Sequence, residues 1–158
     1  MTSDKELLQK MFDEMTGDAG LPRIDLSEAD SAALPFGDGM ILHVQYRESI
    51  PEVVFTVPLG SVPQEKKAFV YERLLEANFY WIGGKGATLA YNADLEQVVL
   101  QYPEGLAHLT KERLQNVLEG FLAVATEWKS TLAEILDDAA NDDFPQVSGP
   151  GSAMFMQA

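Results

Sequence analysis

Two periods alternate along this chain. The clearest is helical: Leu114, Leu118, Phe121, Ala125, Trp128, Leu132 and Ile135 recur in steps of four and three. That spacing keeps them on one face of an α-helix. Thr110 can cap it, and the pattern predicts a helix over about 111–136. Val117, Leu122 and Val124 broaden the stripe, so the helix is expected to lie across a sheet and not in a narrow coiled coil. At 1.5 Å per residue it would be about 40 Å long, enough to cross a small sheet. A shorter helical stripe opens the chain. Ser3 and Glu6 have the spacing of a capping box. Leu7, Leu8, Met11, Phe12 and Met15 follow, with Gly17 as the expected stop, giving a helix over about 4–16.

Between these helices the period changes to two. Residues 32–36, 40–46 and 52–57 read as strands, with a turn at Gly37-Asp38-Gly39 and a short polar link from Arg47 to Pro51. Pro58 lacks a backbone donor and is expected to end the third ladder. Pro63-Gln64-Glu65 then opens a middle helix over about 64–77. Phe69, Val70, Leu74 and Ala77 share one face of it, widened by Tyr71 and Leu75. Asn78 is suited to a left-handed helix end. The aromatic run Phe79-Tyr80-Trp81-Ile82 leads into Gly83-Gly84-Lys85-Gly86. Residues 87–91 and 96–102 then read as a second antiparallel pair, joined through Asn92-Ala93-Asp94. The expected class is α+β: a twisted antiparallel sheet of about five strands with three helices. A single domain over 1–136 is expected. From Asp137 the chain turns acidic and then rich in Gly and Pro, so 137–158 reads as a mobile tail that ends in an apolar Met154-Phe155-Met156.

Composition narrows the function. The chain has 158 residues and is 46% hydrophobic, which suits one domain with its own core. Its apolar runs are interrupted by charge, so no transmembrane helix is expected. The first residues lack the pattern of a signal peptide, and a cytoplasmic location is expected. There is no cysteine, which excludes disulfides, thiolate catalysis and cysteine metal sites. With 25 acidic and 11 basic side chains the net charge is −14, and no Lys/Arg cluster exists to meet a phosphate backbone or an anionic membrane. Such a field favours solubility and can steer a basic partner.

Candidate chemistry is sparse. The two histidines, His43 and His108, have no His-Glu-x-x-His spacing around them. There is no Gly-x-Ser-x-Gly elbow. Lys85 stands in a glycine run, but Gly86-Ala87-Thr88 and a strand-like segment follow, where a phosphate loop needs Gly-Lys-Ser/Thr opening a helix. The run reads as a turn. No catalytic residue, metal site or cofactor is expected, and the chain reads as a binding protein.

The order of elements is similar to that of the class I type III secretion chaperones, the CesT/Tir-chaperone family. The likeness is carried by the span from Val57-Pro58-Leu59-Gly60 through the middle helix to Gly83-Gly84-Lys85-Gly86 and Leu89, and extends from about Ser3 to Leu136. It implies the order α-β-β-β-α-β-β-α, a homodimer, and an ATP-independent cytoplasmic chaperone. Such a protein holds the N-terminal segment of a secreted effector soluble and ready for export. It further implies effector contacts at Leu8, Met11, Phe12, Met15, Met40, Leu42, Val44, Val54 and Phe55, of which strand alternation must turn some inward. An open sheet edge is a further place for the effector to add. The implied dimer positions are Phe69, Val70, Arg73, Leu74 and Ala77. The alternative is a stand-alone regulatory or interaction module of the same fold with no export role.

Overall fold

The computed structural model describes residues 1–141. The expected tail therefore lies mostly outside the described residues, Met154-Phe155-Met156 included. The element order is α1 (Asp4–Ala19), β1 (Ser31–Phe36), β2 (Met40–Arg47), β3 (Glu52–Gly60), α2 (Lys67–Asn78), β4 (Thr88–Asn92), β5 (Gln97–Gly105) and α3 (Lys111–Asn141). Short 3₁₀ turns flank α2 at Gln64–Lys66 and Phe79–Trp81. The α+β class and the α-β-β-β-α-β-β-α order are as expected.

The five strands form one antiparallel sheet in the order β1-β2-β3-β5-β4. The first three are a meander, set by Val44 opposite Ala32 and by Phe55 opposite Val44. The chain then leaves through α2 and returns as a hairpin whose second strand, β5, pairs with β3 (Val57 opposite Leu100). Alternation is strict. Met40, Leu42, Val44 and Tyr46 of β2 and Val53, Phe55, Val57 and Leu59 of β3 are buried, while the residues between them are exposed or half-buried. These buried positions join Leu8, Phe12 and Met15 of α1, Val70 and Leu74 of α2, Leu89 of β4, Val98 and Leu100 of β5 and the α3 stripe in one core. One face of the sheet thus carries the core. The other presents residues such as His43, Gln45 and Arg47.

The α3 stripe is the backbone of this core. Leu114, Leu118, Phe121, Ala125, Trp128 and Leu132 are buried, as their spacing predicts, and Phe121 stacks on Phe55 with ring centroids 5.9 Å apart. Ile135 is half-buried. Thr110 accepts from the Arg113 amide at 3.1 Å, the expected cap.

Several boundaries differ from expectation, each for a local reason. The capping box forms, with Ser3 Oγ accepting from the Glu6 amide and the Glu6 carboxylate accepting from the Ser3 amide. The helix does not stop at Gly17. It runs one turn further, and Gly20 takes the left-handed turn (φ 64°), its amide reaching Gly17 O while Leu21 N reaches Thr16 O. Pro58 does not end β3. Pairing with β2 is finished at Thr56, so the missing donor costs nothing there, and the strand continues along β5 to Gly60 through a register shift. Pro103 is tolerated in β5 for a similar reason, since β4 pairs only as far as Gln101. Finally, α3 runs to Asn141 and not 136. Asp137 to Asn141 contain no Gly or Pro, and Ala139 and Ala140 are good helix formers.

Candidate partner-binding surfaces

The expected contact residues fall into two groups. Leu8, Phe12 and Met15 lie at i, i+4 and i+7 and are buried in the core. Met40, Leu42, Val44 and Phe55 are buried in the same core. These seven are core in this chain and are not an accessible face. Met11 and Val54 keep part of their surface exposed. Leu7, one position before Leu8 and 44% exposed, lies with Met11 on the flank of α1. That flank and the β5–α3 loop enclose a cleft of about 320 Å³, lined by Asp4, Leu7, Leu8, Met11 and Leu106 to Leu109. Leu106 and Leu109 were not singled out from the sequence, because a loop carries no period to flag them. Its lining is mostly apolar, with Asp4 and His108 as the polar members.

The position of α1 is fixed by a segment that reads as mere loop. Ile24 and Leu26 are buried under α1. Gln9 clamps them: its Nε2 donates to Ile24 O at 2.8 Å and its Oε1 accepts from the Leu26 amide at 2.7 Å. Arg23 Nε donates to Asp13 Oδ1 at 2.9 Å. That hydrogen bond is the main reason the Asp13 carboxyl titrates below its ordinary range. From this clamp the chain enters β1, which pairs only with β2 and leaves one edge of the sheet open along Ser31–Phe36. Its half-buried residues are Ala32, Leu34 and Phe36.

A second surface is built by α2 and the turn after it. Val70 and Leu74, expected in a dimer interface, are buried in the chain's own core. Phe69 is half-buried with the Arg73 guanidinium 4.8 Å above its ring. Ala77 is half-buried, its Cβ so near Gly83 that a side chain there would come within 2.6 Å. The exposed apolar residues lie one helical step round: Leu75 (71% exposed), then Phe79 (67%), Tyr80 (73%), Trp81 (55%) and Ile82 (74%). Asn78 does not take the left-handed conformation. It stays helical (φ −74°), and its amide bonds Leu89 of β4 in both directions, at 2.8 and 2.9 Å. The left-handed residues are Tyr80 (φ 52°) and Trp81 (φ 57°).

The glycine run is a turn, as expected. A Cβ on Gly84 would lie 2.1 Å from Ala87 O, so the run is required by backbone packing. Trp128 Nε1 donates to Gly83 O at 2.8 Å, and Lys85 Nζ pairs with Glu127 at 3.0 Å. Both exposed partners of that ion pair make it worth little for stability. Among the described residues no group of three His, Cys, Asp or Glu side chains is placed to hold a metal ion. No helix among them is long and apolar enough to cross a membrane.

The model of the Tir chaperone protein (CesT) family matches residues 10–129, about three quarters of the chain. The chain belongs to this family. The match spans every element from α1 to most of α3. Solved structures with the same fold include the ExsC–ExsE complex, similar at 18% identity and a TM-score of 0.71 over 84% of this chain and 97% of that chain. The heterodimeric ExoU–SpcU complex from the type III secretion system of Pseudomonas aeruginosa is 21% identical, with a TM-score of 0.61 over 83% and 98%. The Yersinia pestis type III secretion chaperone SycH, solved with a stable fragment of YscM2, is 16% identical, with a TM-score of 0.56 over 75% and 97%. No curated protein sequence matches the chain.

Proposed function

We propose that this protein is a cytoplasmic, ATP-independent chaperone. It binds the N-terminal segment of a type III secreted effector, keeps it soluble and export-competent, and works as a homodimer through residues 1–136. Family membership carries the reading, and it is supported by the HopA1–SchA chaperone–effector complex and by a type III secretion chaperone bound to a fragment of another protein among the structures of the same fold. The surfaces fit a binding role that needs no reactive group. The cleft of Leu7, Met11, Leu106 and Leu109 offers apolar pockets for side chains, and the open edge of β1 offers backbone partners to an extended segment. The half-buried Val54 lies on the opposite face of the sheet, where a wrapping segment would cross it. The segment loses its conformational entropy on binding, which keeps the hold reversible.

Burial changes which effector contacts this reading uses. Met11 and Val54 remain from the expected set, and Leu7 joins them. Leu8, Phe12, Met15, Met40, Leu42, Val44 and Phe55 shape the site from beneath. Dimerisation is assigned to the outer face of α2 and the turn after it, because Val70 and Leu74 are used internally.

Capture from cells that make a type III apparatus tests this directly. The tagged protein is expected to bring down one abundant partner, and deleting that partner's N-terminal segment is expected to abolish capture. Capture that survives the deletion would overturn the proposal and favour the stand-alone interaction module.

A further inference from the structure

Beside its core stripe, α3 carries a second stripe that no described residue covers. Asn116, Gly120, Ala123 and Glu127 follow in steps of four, three and four, and all are exposed. Small residues hold the middle of this stripe, and a groove of about 420 Å³ opens there against the Gly84-Lys85 turn. Its apolar lining is Ala87, Val117, Phe121 and Val124, and its cations are Lys85 and Arg113. Glycine is a poor choice for a helix interior. A Cβ on Gly120 would meet nothing within 4 Å, so packing among the described residues does not require a glycine here. The missing side chain leaves room above the groove.

We propose that a later segment of the same chain, Met154-Phe155-Met156, occupies this groove and covers it from within the chain. The segment lies outside the described residues, and the family match ends earlier still, at residue 129. Reach selects the groove. Gly120 lies about 30 Å back along α3 from Asn141, and the twelve residues 142–153 span up to about 40 Å. The cleft beside α1 stands beyond Lys111, about 45 Å back and past the full extension of those twelve residues. Charge selects it again. Residues 142–158 include Asp142 and Asp143 and no Lys or Arg. The groove on the outer side of α2 is within reach, but it is lined by Glu72 and Glu76 and no cation, and it repels such a segment. The α3 groove sets two cations against one carboxylate, Glu127. Thioether and aromatic side chains also suit an irregular apolar lining. Because the chain must run back along α3, Met154 lies towards Glu127 and Met156 towards Gly120, which brings Gln157 beside Asn116. A partner that needs this groove must first displace the segment. The proposal does not depend on the chaperone reading, which rests on residues 1–136.

The full-length chain has no cysteine, so an introduced pair reports on the contact without background. Asn116→Cys with Gln157→Cys replaces an exposed helix residue and one in the segment. Under mild oxidation this pair is expected to form a disulfide within one chain, read by mass. A pair at similar reach on α2, Glu72→Cys with Gln157→Cys, is expected to link at least about tenfold more slowly. Adding Gly120→Leu to the first pair fills the groove and is expected to slow its link at least about tenfold, with helix content unchanged by circular dichroism. Phe155→Ser is expected to slow it likewise. Equal rates for the two pairs, a rate that neither Gly120→Leu nor Phe155→Ser changes, or a disulfide that joins two copies would each overturn the proposal. Effector capture by a chain ending at Asn141 is measured separately and bears only on the chaperone reading.

Discussion

Helices α1 and α2 carry similar apolar faces in the sequence and put them to opposite use. On α1, Leu8, Phe12 and Met15 are almost wholly buried. On α2, Val70 and Leu74 are spent on the core, and the apolar surface continues past them through Leu75 to Ile82, out into solvent. Periodicity reports which side chains share a face. It does not report what covers the face, because the cover comes from elements far away in sequence. Here α1 is held by the Gln9 clamp on Ile24 and Leu26 and by its packing against α3, while among the described residues nothing covers Leu75 on the outer side of α2.

The comparison breaks most sharply at its buried pole. Phe12→Ala is expected to cost about 3–5 kcal/mol, since it removes a fully buried ring and leaves a cavity. Chemical denaturation reads this as a lower midpoint with an unchanged slope. Leu74→Asp is likewise expected to unfold the chain and not merely to separate a dimer, because the residue is buried inside its own protomer; a folded, soluble Leu74→Asp chain would place the α2 core contacts elsewhere. At the exposed pole, Trp81→Ala with Ile82→Ser is expected to shift monomer stability by less than about 0.5 kcal/mol, the usual range for surface positions. The same variant is expected to weaken self-association at least about tenfold, equivalent to 1.4 kcal/mol, by sedimentation. Between the poles, Leu7→Asp with Met11→Asp should keep the fold and lose effector binding, as both side chains line the cleft, Leu7 exposed and Met11 only half-buried at the edge of the core.

The smallest expected effect concerns pH. Asp13 titrates below its ordinary value because Arg23 donates to it. A carboxylate with a lowered folded-state pKa adds stability above its unfolded value, near 3.8, and loses it as pH falls through the folded value. Asp13→Asn is therefore expected to lower stability slightly at neutral pH. The difference from the wild type should shrink towards zero on acidification below about pH 4, seen as converging melting temperatures. A difference that stays constant across that range would assign the effect to packing.

Much of the fold is legible because its signals are local. The four-three stripe of α3, the capping box at Ser3, the turn glycines and the strand alternation each state their element directly. What the sequence hides depends on long-range cover. Ile24 and Leu26 sit in a segment with no period, and their burial follows only once Gln9 is seen to bond their backbone. Pro58 and Pro103 look like strand breakers until the neighbouring strands are seen to end before them. The candidate sites are less legible than the fold for the same reason. An apolar residue in a strand is equally at home in a core or a groove, and seven of the nine expected effector contacts proved to be core.

Hydrogen exchange on the purified protein, with and without the N-terminal segment of its captured partner, tests the central claim most directly. Protection is expected on binding along β1 and around the cleft, in Leu7 to Met11 and Leu106 to Leu109, and it should vanish for the Leu7→Asp/Met11→Asp variant. Tight binding with no added protection at either place, or protection that the double variant retains in full, would contradict the account.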